Sequence, residues 1–414
     1  MSLIKNSFWN LCGYVLPAIV TLPALGIMGR KLGPELFGVF TLALAVVGYA
    51  SIFDAGLTRA VIREVAIEDN EENKLKIISS ATVVIIYLSL AASLLLFFFS
   101  GHIALLLNIS ETFFHNVSVS LKILAASIPL FLITQIWLSI LEGEERFGLL
   151  NIYKSITGVI LAISPALFIL IKPSLMYAII GLVLARFLCF ILAFIICHDK
   201  VLKAKLTIDI PTIKRLFMFG GWITVSNIIS PVLSYFDRFI VSNQLGAANV
   251  AFYTAPSEII SRLSIIPGAF SRALFPRLAN ANNSAERYKT KRLITISLLI
   301  IITPIFCIGV LFSEKIMVLW MGASFFGEPG LVLSILLIGF IFNGLAQVPF
   351  ASIQSRGHAK ITAFVHLLEL FPYLLLLFYL IKAHGVVGAG IAWSVRMIVD
   401  YIALSLLDGK YINK

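Results

Sequence analysis

Long apolar runs separated by short polar segments dominate this chain, and the length of each run is the first structural signal. A bilayer's hydrocarbon core is about 30 Å thick, and a helix needs about 20 apolar residues at 1.5 Å each to cross it. Twelve stretches reach that length: 8–29, 36–57, 78–100, 117–141, 150–171, 174–197, 217–241, 249–270, 293–313, 330–354, 361–381 and 386–407. The segments between them are short, the longest being 271–292, so no soluble domain fits there. The pattern predicts an all-α polytopic membrane protein of twelve transmembrane helices, with a short interfacial helix around Ile103–Asn108.

The chain also repeats itself. A shift of 213 residues lays the first span on the seventh without a gap from Trp9 to Ala66, with Gly33/Gly246, Thr41/Thr254, Ser51/Ser264 and Arg59/Arg272 among the identities in those 58 positions. An even number of spans per half gives both halves the same orientation, related by a pseudo-two-fold axis along the membrane normal. The expected layout is an N-terminal six-helix lobe over 1–200, a cytoplasmic linker over 201–216 and a C-terminal six-helix lobe over 217–414, with a central cleft between the lobes. Pro17 and Pro23 in the first span and Pro231 in the seventh mark corresponding helices that can bend.

Composition agrees with the hydropathy. Of 414 residues, 59% are hydrophobic and only 13% charged, with a mean hydropathy of +0.99, more apolar side chain than a soluble core can hide. The net charge of +11 in a soluble protein would suggest nucleic acid. Its distribution gives another explanation: with the N-terminus inside, 22 of the 32 Lys and Arg fall in the cytoplasmic segments and only 6 in the opposite ones. That asymmetry follows the positive-inside rule, so both termini are expected in the cytoplasm and no nucleic-acid partner is implied. The four cysteines lie in apolar runs without metal or disulfide spacing, and no GxxxxGK[ST], HExxH or GxSxG motif occurs, so neither catalytic nor metal-binding residues are indicated.

Lys122 and Lys154, close to span ends, are counted with the flanking segments, and the other four basic residues, Arg186, Arg238, Arg262 and Arg396, lie deeper within spans. Ionisable groups at membrane depth are costly and normally face protein or water. Thr254, Ser257, Glu258, Ser261 and Arg262 share one face of the eighth span. The seventh carries Thr224, Asn227, Ser234, Tyr235 and Arg238, the tenth Asn343 and Gln347, and the eleventh Thr362, His366, Glu369 and Tyr373. Together these stripes read as the wall of a hydrated cavity. Glu258/Arg262 and Arg396/Asp400 are spaced i, i+4 and can neutralise each other as local ion pairs. Asp237 points about 100° from Arg238 and is less able to pair with it. Arg186 has no carboxylate within a helical turn, leaving it either a ligand contact or a packing residue. His366 and Glu369 either carry protons or form a hydrogen-bonded core.

The run Leu32-Gly-Pro-Glu-Leu-Phe-Gly-Val-Phe40, then Asp54-Ala-Gly-Leu-Thr-Arg59, Arg63-Glu64, Asp237-Arg238-Phe-Ile-Val, Leu245-Gly-Ala247, Tyr253 and Phe275-Pro-Arg277, resembles the Wzx-like polysaccharide (O-antigen) flippases. These are the polysaccharide transporters of the multidrug/oligosaccharidyl-lipid/polysaccharide exporter superfamily. The resemblance implies a bacterial inner-membrane transporter, not an enzyme. Its cargo is an undecaprenyl-diphosphate-linked oligosaccharide repeat unit, moved from the cytoplasmic to the periplasmic leaflet by ion-coupled alternating access. It also implies a cationic lumen and partners in the O-antigen polymerase and chain-length regulator, and no cofactor beyond H+ or Na+ as coupling ion. On that reading Arg186, Arg238, Arg262 and Arg396, with Asn227, Thr254 and Ser261, face the substrate, and Asp237, Glu258, Glu369 and Asp400 are the ion-coupling candidates. The alternative is a multidrug or metabolite antiporter of the same superfamily, for which carboxylates and aromatics would dominate the cavity.

Overall fold

Helices carry nearly all of the described chain, and no strand occurs among the described residues. The computed structural model describes the backbone of residues 3–280 and 283–412, and the side chains of 16–220, 235–280, 283–358 and 360–410. Two compact units result, Met1–Phe239 and Ile240–Lys414.

The first unit contains α1 (Leu3–Tyr49), a short 3-10 helix (Ala50–Asp54), α2 (Leu57–Ile67), α3 (Glu71–Leu106), α4 (Glu111–Ala125), α5 (Ser127–Gly143), α6 (Phe147–Ile171), α7 (Leu175–Ala204) and most of α8 (Ile210–Leu245). The second contains α9 (Ala247–Leu263), α10 (Ile265–Ala279), α11 (Ser284–Leu311), α12 (Ser313–Met321), a 3-10 turn (Ala323–Phe325), α13 (Glu328–Ser355) and α14 (Ala359–Ile412). The seventh predicted span, 217–241, runs across the division between the units.

Two helices are too long for one crossing. The 54 residues of α14 extend about 81 Å at 1.5 Å each, and its path breaks at Gly385 (φ 59°, ψ −142°), between the eleventh and twelfth predicted spans. The 47 residues of α1 break likewise at Gly33, between the first and second. The fourth span lies on α4 and α5, which meet at Ala126, and the eighth on α9 and α10, which meet at Ser264. All twelve predicted spans fall on helix. The expected interfacial helix does not form separately: α3 continues through Leu106, so Ile103 to Leu106 are its last turn, and Asn108 leaves it at φ 48°.

The repeat has a backbone signature. Gly33 (φ 73°, ψ 172°) and Gly246 (φ 86°, ψ 165°) occupy the same left-handed extended conformation, each opening a helix, and they are the pair the 213-residue shift aligns. Glycine adopts that conformation without the Cβ clash that penalises other residues. The same shift carries the α6–α7 break at Lys172 onto the break at Gly385, well beyond the stretch of sequence identity.

Within the first unit α1 packs on α6 so closely that a Cβ on Gly158 would lie 2.6 Å from Pro17 Cγ. The joint between α7 and α8 is stitched to α3: Ser79 Oγ donates to the Thr207 carbonyl at 2.7 Å, and Ser80 Oγ accepts from the Asp209 amide at 3.1 Å. The hydroxyl and amide of Thr212 hold the Asp209 carboxyl below its ordinary value, and Asp209 in turn caps the start of α8. Within the second unit α13 is the central helix, its Phe340 fully buried and Ile335 accepting from Ser394 Oγ at 2.8 Å. Phe98, Leu311 and Leu375 are each more than 70% exposed. On spanning helices such side chains face lipid, where backbone groups are satisfied within the helix.

Candidate functional sites in the membrane-spanning helices

In the first unit, α5, α6 and α7 enclose a cavity of about 210 Å³. Leu130, Phe131, Thr134, Gln135 and Leu138 line it from α5, Tyr153, Lys154, Thr157, Gly158 and Leu161 from α6, and Arg186 and Cys189 from α7. The Arg186 guanidinium lies over the Phe131 ring at 4.6 Å, and its Nε is buried without a hydrogen-bond partner. The hydroxyls are already committed as donors: Thr134 to the Leu130 carbonyl at 2.6 Å, Thr157 to that of Tyr153 at 2.7 Å, and Tyr153 to that of Cys189 at 2.9 Å. No Asp or Glu lines the cavity. With its hydroxyls committed, the pocket keeps the Arg186 guanidinium as a cation at membrane depth with no acid beside it, the electrostatic complement of an anion.

In the second unit the two halves of α14 bring four ionisable side chains together. Arg396 Nε lies 3.7 Å from Glu369 Oε2, and His366 Nε2 lies 3.4 Å from Asp400 Oδ1. Arg396 also covers the Tyr373 ring at 5.1 Å, and Phe350 stacks on His366 at 5.9 Å. Both Glu369 oxygens are buried without a hydrogen bond. A cavity of about 430 Å³ beside them is walled mostly by Val, Leu and Ala, with Glu369, Tyr373 and Arg396 as its polar members. The expected local pair Arg396/Asp400 is therefore corrected: Arg396 turns across to Glu369 on the other half of α14, and Asp400 faces His366. Each carboxylate gains a cationic or protonatable partner from the facing half-helix, which an i, i+4 pair on one helix would not supply.

The other predicted residues lie elsewhere. Asp237 and Arg238 are buried at the end of the first unit, where Asp237 Oδ1 accepts from the Arg238 amide at 2.8 Å and the guanidinium covers Tyr235 at 5.4 Å. Tyr49 packs there against Tyr235 and Phe239. In α9, Glu258 and Arg262 do form the local pair, at 3.2 Å. Along that stripe Thr254 is fully buried with no partner for its hydroxyl, whereas Ser261 is exposed. Asn227, with Thr224, Pro231 and Ser234, lies outside the described side chains. Arg262 and Arg396 thus meet carboxylate side chains, and Arg186 meets none among the described residues.

Sequence reasoning missed Phe131, Gln135 and Lys154 as neighbours of Arg186. Lys154 and Thr157 are spaced i, i+3 at the start of the fifth span, a readable signal, but a lysine that close to a span end reads as a loop cation. Among the described residues no group of three or more His, Cys, Asp or Glu side chains is placed to hold a metal ion. Cys189 and Cys197 are free and buried, and Cys307 is free and exposed.

The family model described as polysaccharide biosynthesis protein matches residues 3–282. A Shigella flexneri protein named for O-antigen transport is 45% identical over 98% of this chain and 98% of its own. Agl15 of Haloferax volcanii, named as a flippase of low-salt glycan biosynthesis, is 24% identical over 97% of this chain and 82% of its own. Among solved structures, an inward-facing multidrug resistance transporter of the MATE family superposes with a TM-score of 0.80 at 14% identity, covering 98% of both chains. The lipid II flippase MurJ in an inward closed conformation gives 0.76 at 18% identity, covering 95% of this chain and 87% of its own. These structural likenesses concern the fold.

Proposed function

The chain belongs to the polysaccharide biosynthesis protein family, and from that premise we propose that it is a flippase of the bacterial inner membrane. Its cargo is an oligosaccharide carried on undecaprenyl diphosphate, and the phosphorylated headgroup crosses by alternating access while the polyprenyl tail stays in lipid. The observation that carries this reading is the Arg186 cavity. A diphosphate diester bears about two negative charges, and moving them through hydrocarbon unaided costs many kcal/mol. A guanidinium at membrane depth with no carboxylate beside it offers that headgroup charge-assisted hydrogen bonds. An antiporter of cationic drugs would place acidic side chains there, and the cavity has none.

Ion coupling belongs to the same reading. The charges on Glu369, Asp400 and Arg396 sum to −1, which one monovalent cation cancels; because the carboxylates and His366 are themselves protonatable groups, we take H+ as the coupling ion. Polymerase and chain-length regulator are the expected partners of the delivered unit.

The test is deletion of the gene, followed by mass spectrometry of lipid-linked intermediates. The expected result is repeat units accumulating on the cytoplasmic leaflet and loss of surface polysaccharide. Unchanged surface polysaccharide would overturn the proposal. Reconstituted Glu369→Gln and Asp400→Asn proteins are expected to lose the dependence of transport on a proton gradient; full retention of that dependence removes those two residues from the coupling role.

A further inference from the structure

The structure assigns to Lys154 a specificity role: with Arg186 it forms a two-cation subsite that reads a diphosphate diester in preference to a monophosphate diester. The inference rests on the flippase reading and adds to it the part of the headgroup recognised and the residue that recognises it.

The α5–α6–α7 cavity supplies three separate observations. Lys154 lines it from α6 and forms no ion pair among the described residues, while Arg186 lines it from α7 with its Nε buried and unpartnered. Gln135 lines it from α5 and likewise has no hydrogen-bond partner among the described residues. Every hydroxyl in the wall donates to a backbone carbonyl, so the donors left over are a guanidinium edge, an ammonium and an amide. Phe131 under the Arg186 face fixes the guanidinium plane and leaves its edge N–H groups as the reactive surface. Two cations and no acid make a pocket of charge +2, the opposite of a diphosphate diester and one unit more than a phosphodiester requires.

Ligand chemistry separates the two cations. The planar fork of Arg186 suits two oxygens of one phosphate. The ammonium of Lys154 is a point charge on a flexible stem, suited to the second phosphate. A phosphodiester leaves Lys154 unused, so its contribution appears only when a second phosphate is present. An anionic membrane phospholipid presents the same phosphodiester chemistry from a different source, and basic pockets between spanning helices do bind such headgroups.

The experiment measures binding to the purified full-length protein in detergent by microscale thermophoresis. Three probes are used: farnesyl-diphosphoryl-glucosamine, farnesyl-phosphoryl-glucosamine and dioleoylphosphatidylglycerol. The wild type is expected to prefer the diphosphate over the monophosphate by about tenfold or more, the size of one charge-assisted hydrogen bond. Lys154→Gln is expected to abolish that preference while keeping monophosphate affinity, Lys154→Arg to restore it, and Arg186→Gln to weaken both probes. An undiminished preference in Lys154→Gln overturns the inference. So does phosphatidylglycerol binding as tightly as the diphosphate, which would make the cavity a bilayer-lipid site. Unchanged thermal unfolding in Lys154→Gln separates lost recognition from lost fold, and if that variant misfolds, the wild type competed with phosphatidylglycerol and Lys154→Arg still decide. The deletion phenotype is independent of these outcomes: if it stands while the preference survives Lys154→Gln, the subsite fails and the flippase reading does not.

Discussion

Arg396 and Glu369 allow a quantitative test, because their interaction joins two halves of one long helix. At 3.7 Å, two unit charges attract by about 4.5 kcal/mol in an effective dielectric of ~20, before desolvation is subtracted. The side chains are only 13% and 9% exposed, so solvent screens the pair weakly. Arg396→Met leaves Glu369 beside Asp400 with no cation between them; Glu369→Leu leaves a buried guanidinium against apolar walls. Each single change is expected to cost about 3–5 kcal/mol, the usual cost of breaking a buried pair from one side. The double variant removes both charges and leaves Asp400 with His366, so its loss is expected to stay within about 1–2 kcal/mol of wild type. The coupling energy from the cycle is then at least about 4 kcal/mol. Reversible SDS unfolding in mixed micelles, followed by tryptophan fluorescence, measures all four proteins. Single losses that add to within about 0.5 kcal/mol in the double variant would refute the pairing.

Three further outcomes concern the scaffold. Gly56 sits at φ +74°, and a Cβ there would lie 2.1 Å from the Gly220 carbonyl oxygen; Gly56→Ala is expected to lose several kcal/mol or fail to accumulate, and a variant of normal yield and melting temperature would contradict the packing of α8 on this corner. Gly33→Ala and Gly246→Ala are expected to destabilise by similar amounts, about 1–2 kcal/mol each, since the two backbones match; a penalty at only one of them would count against the structural repeat. Glu64 is buried and accepts from Arg63 and Arg215 at 2.7 Å, but both arginines are about half exposed, so Glu64→Gln is expected to cost about 1 kcal/mol rather than several; a midpoint unchanged in SDS unfolding would show that the contact adds nothing.

Hydropathy made the twelve spans legible because apolar length is a one-dimensional property, and every span proved to be helix. The break at Gly33 was readable in Leu-Gly-Pro-Glu, and the internal shift placed its counterpart at Gly246. The interfacial helix at Ile103–Asn108 was misread because the polar residues of Ser100, Gly101 and His102 resemble a boundary, yet α3 simply continues past them. Charge pairing was only half legible. Glu258 and Arg262 pair along one helix as i, i+4 spacing expects, whereas Arg396 finds Glu369 across a chain reversal that spacing does not encode. Lys154 was hidden by its own charge: near a helix end a lysine reads as a topological marker, and only the packing of α5, α6 and α7 places it in the wall with Arg186.

Headgroup translocation is the claim on which the functional account depends, and direct flipping in proteoliposomes addresses it. Purified protein is reconstituted with a fluorescent undecaprenyl-diphosphate-linked oligosaccharide, and the fraction reaching the outer leaflet is read by quenching with a membrane-impermeant reductant. The account predicts rapid protein-dependent redistribution that Arg186→Gln reduces at least tenfold at equal reconstituted amount. Redistribution no faster than in protein-free vesicles, or equally fast with Arg186→Gln, would contradict it.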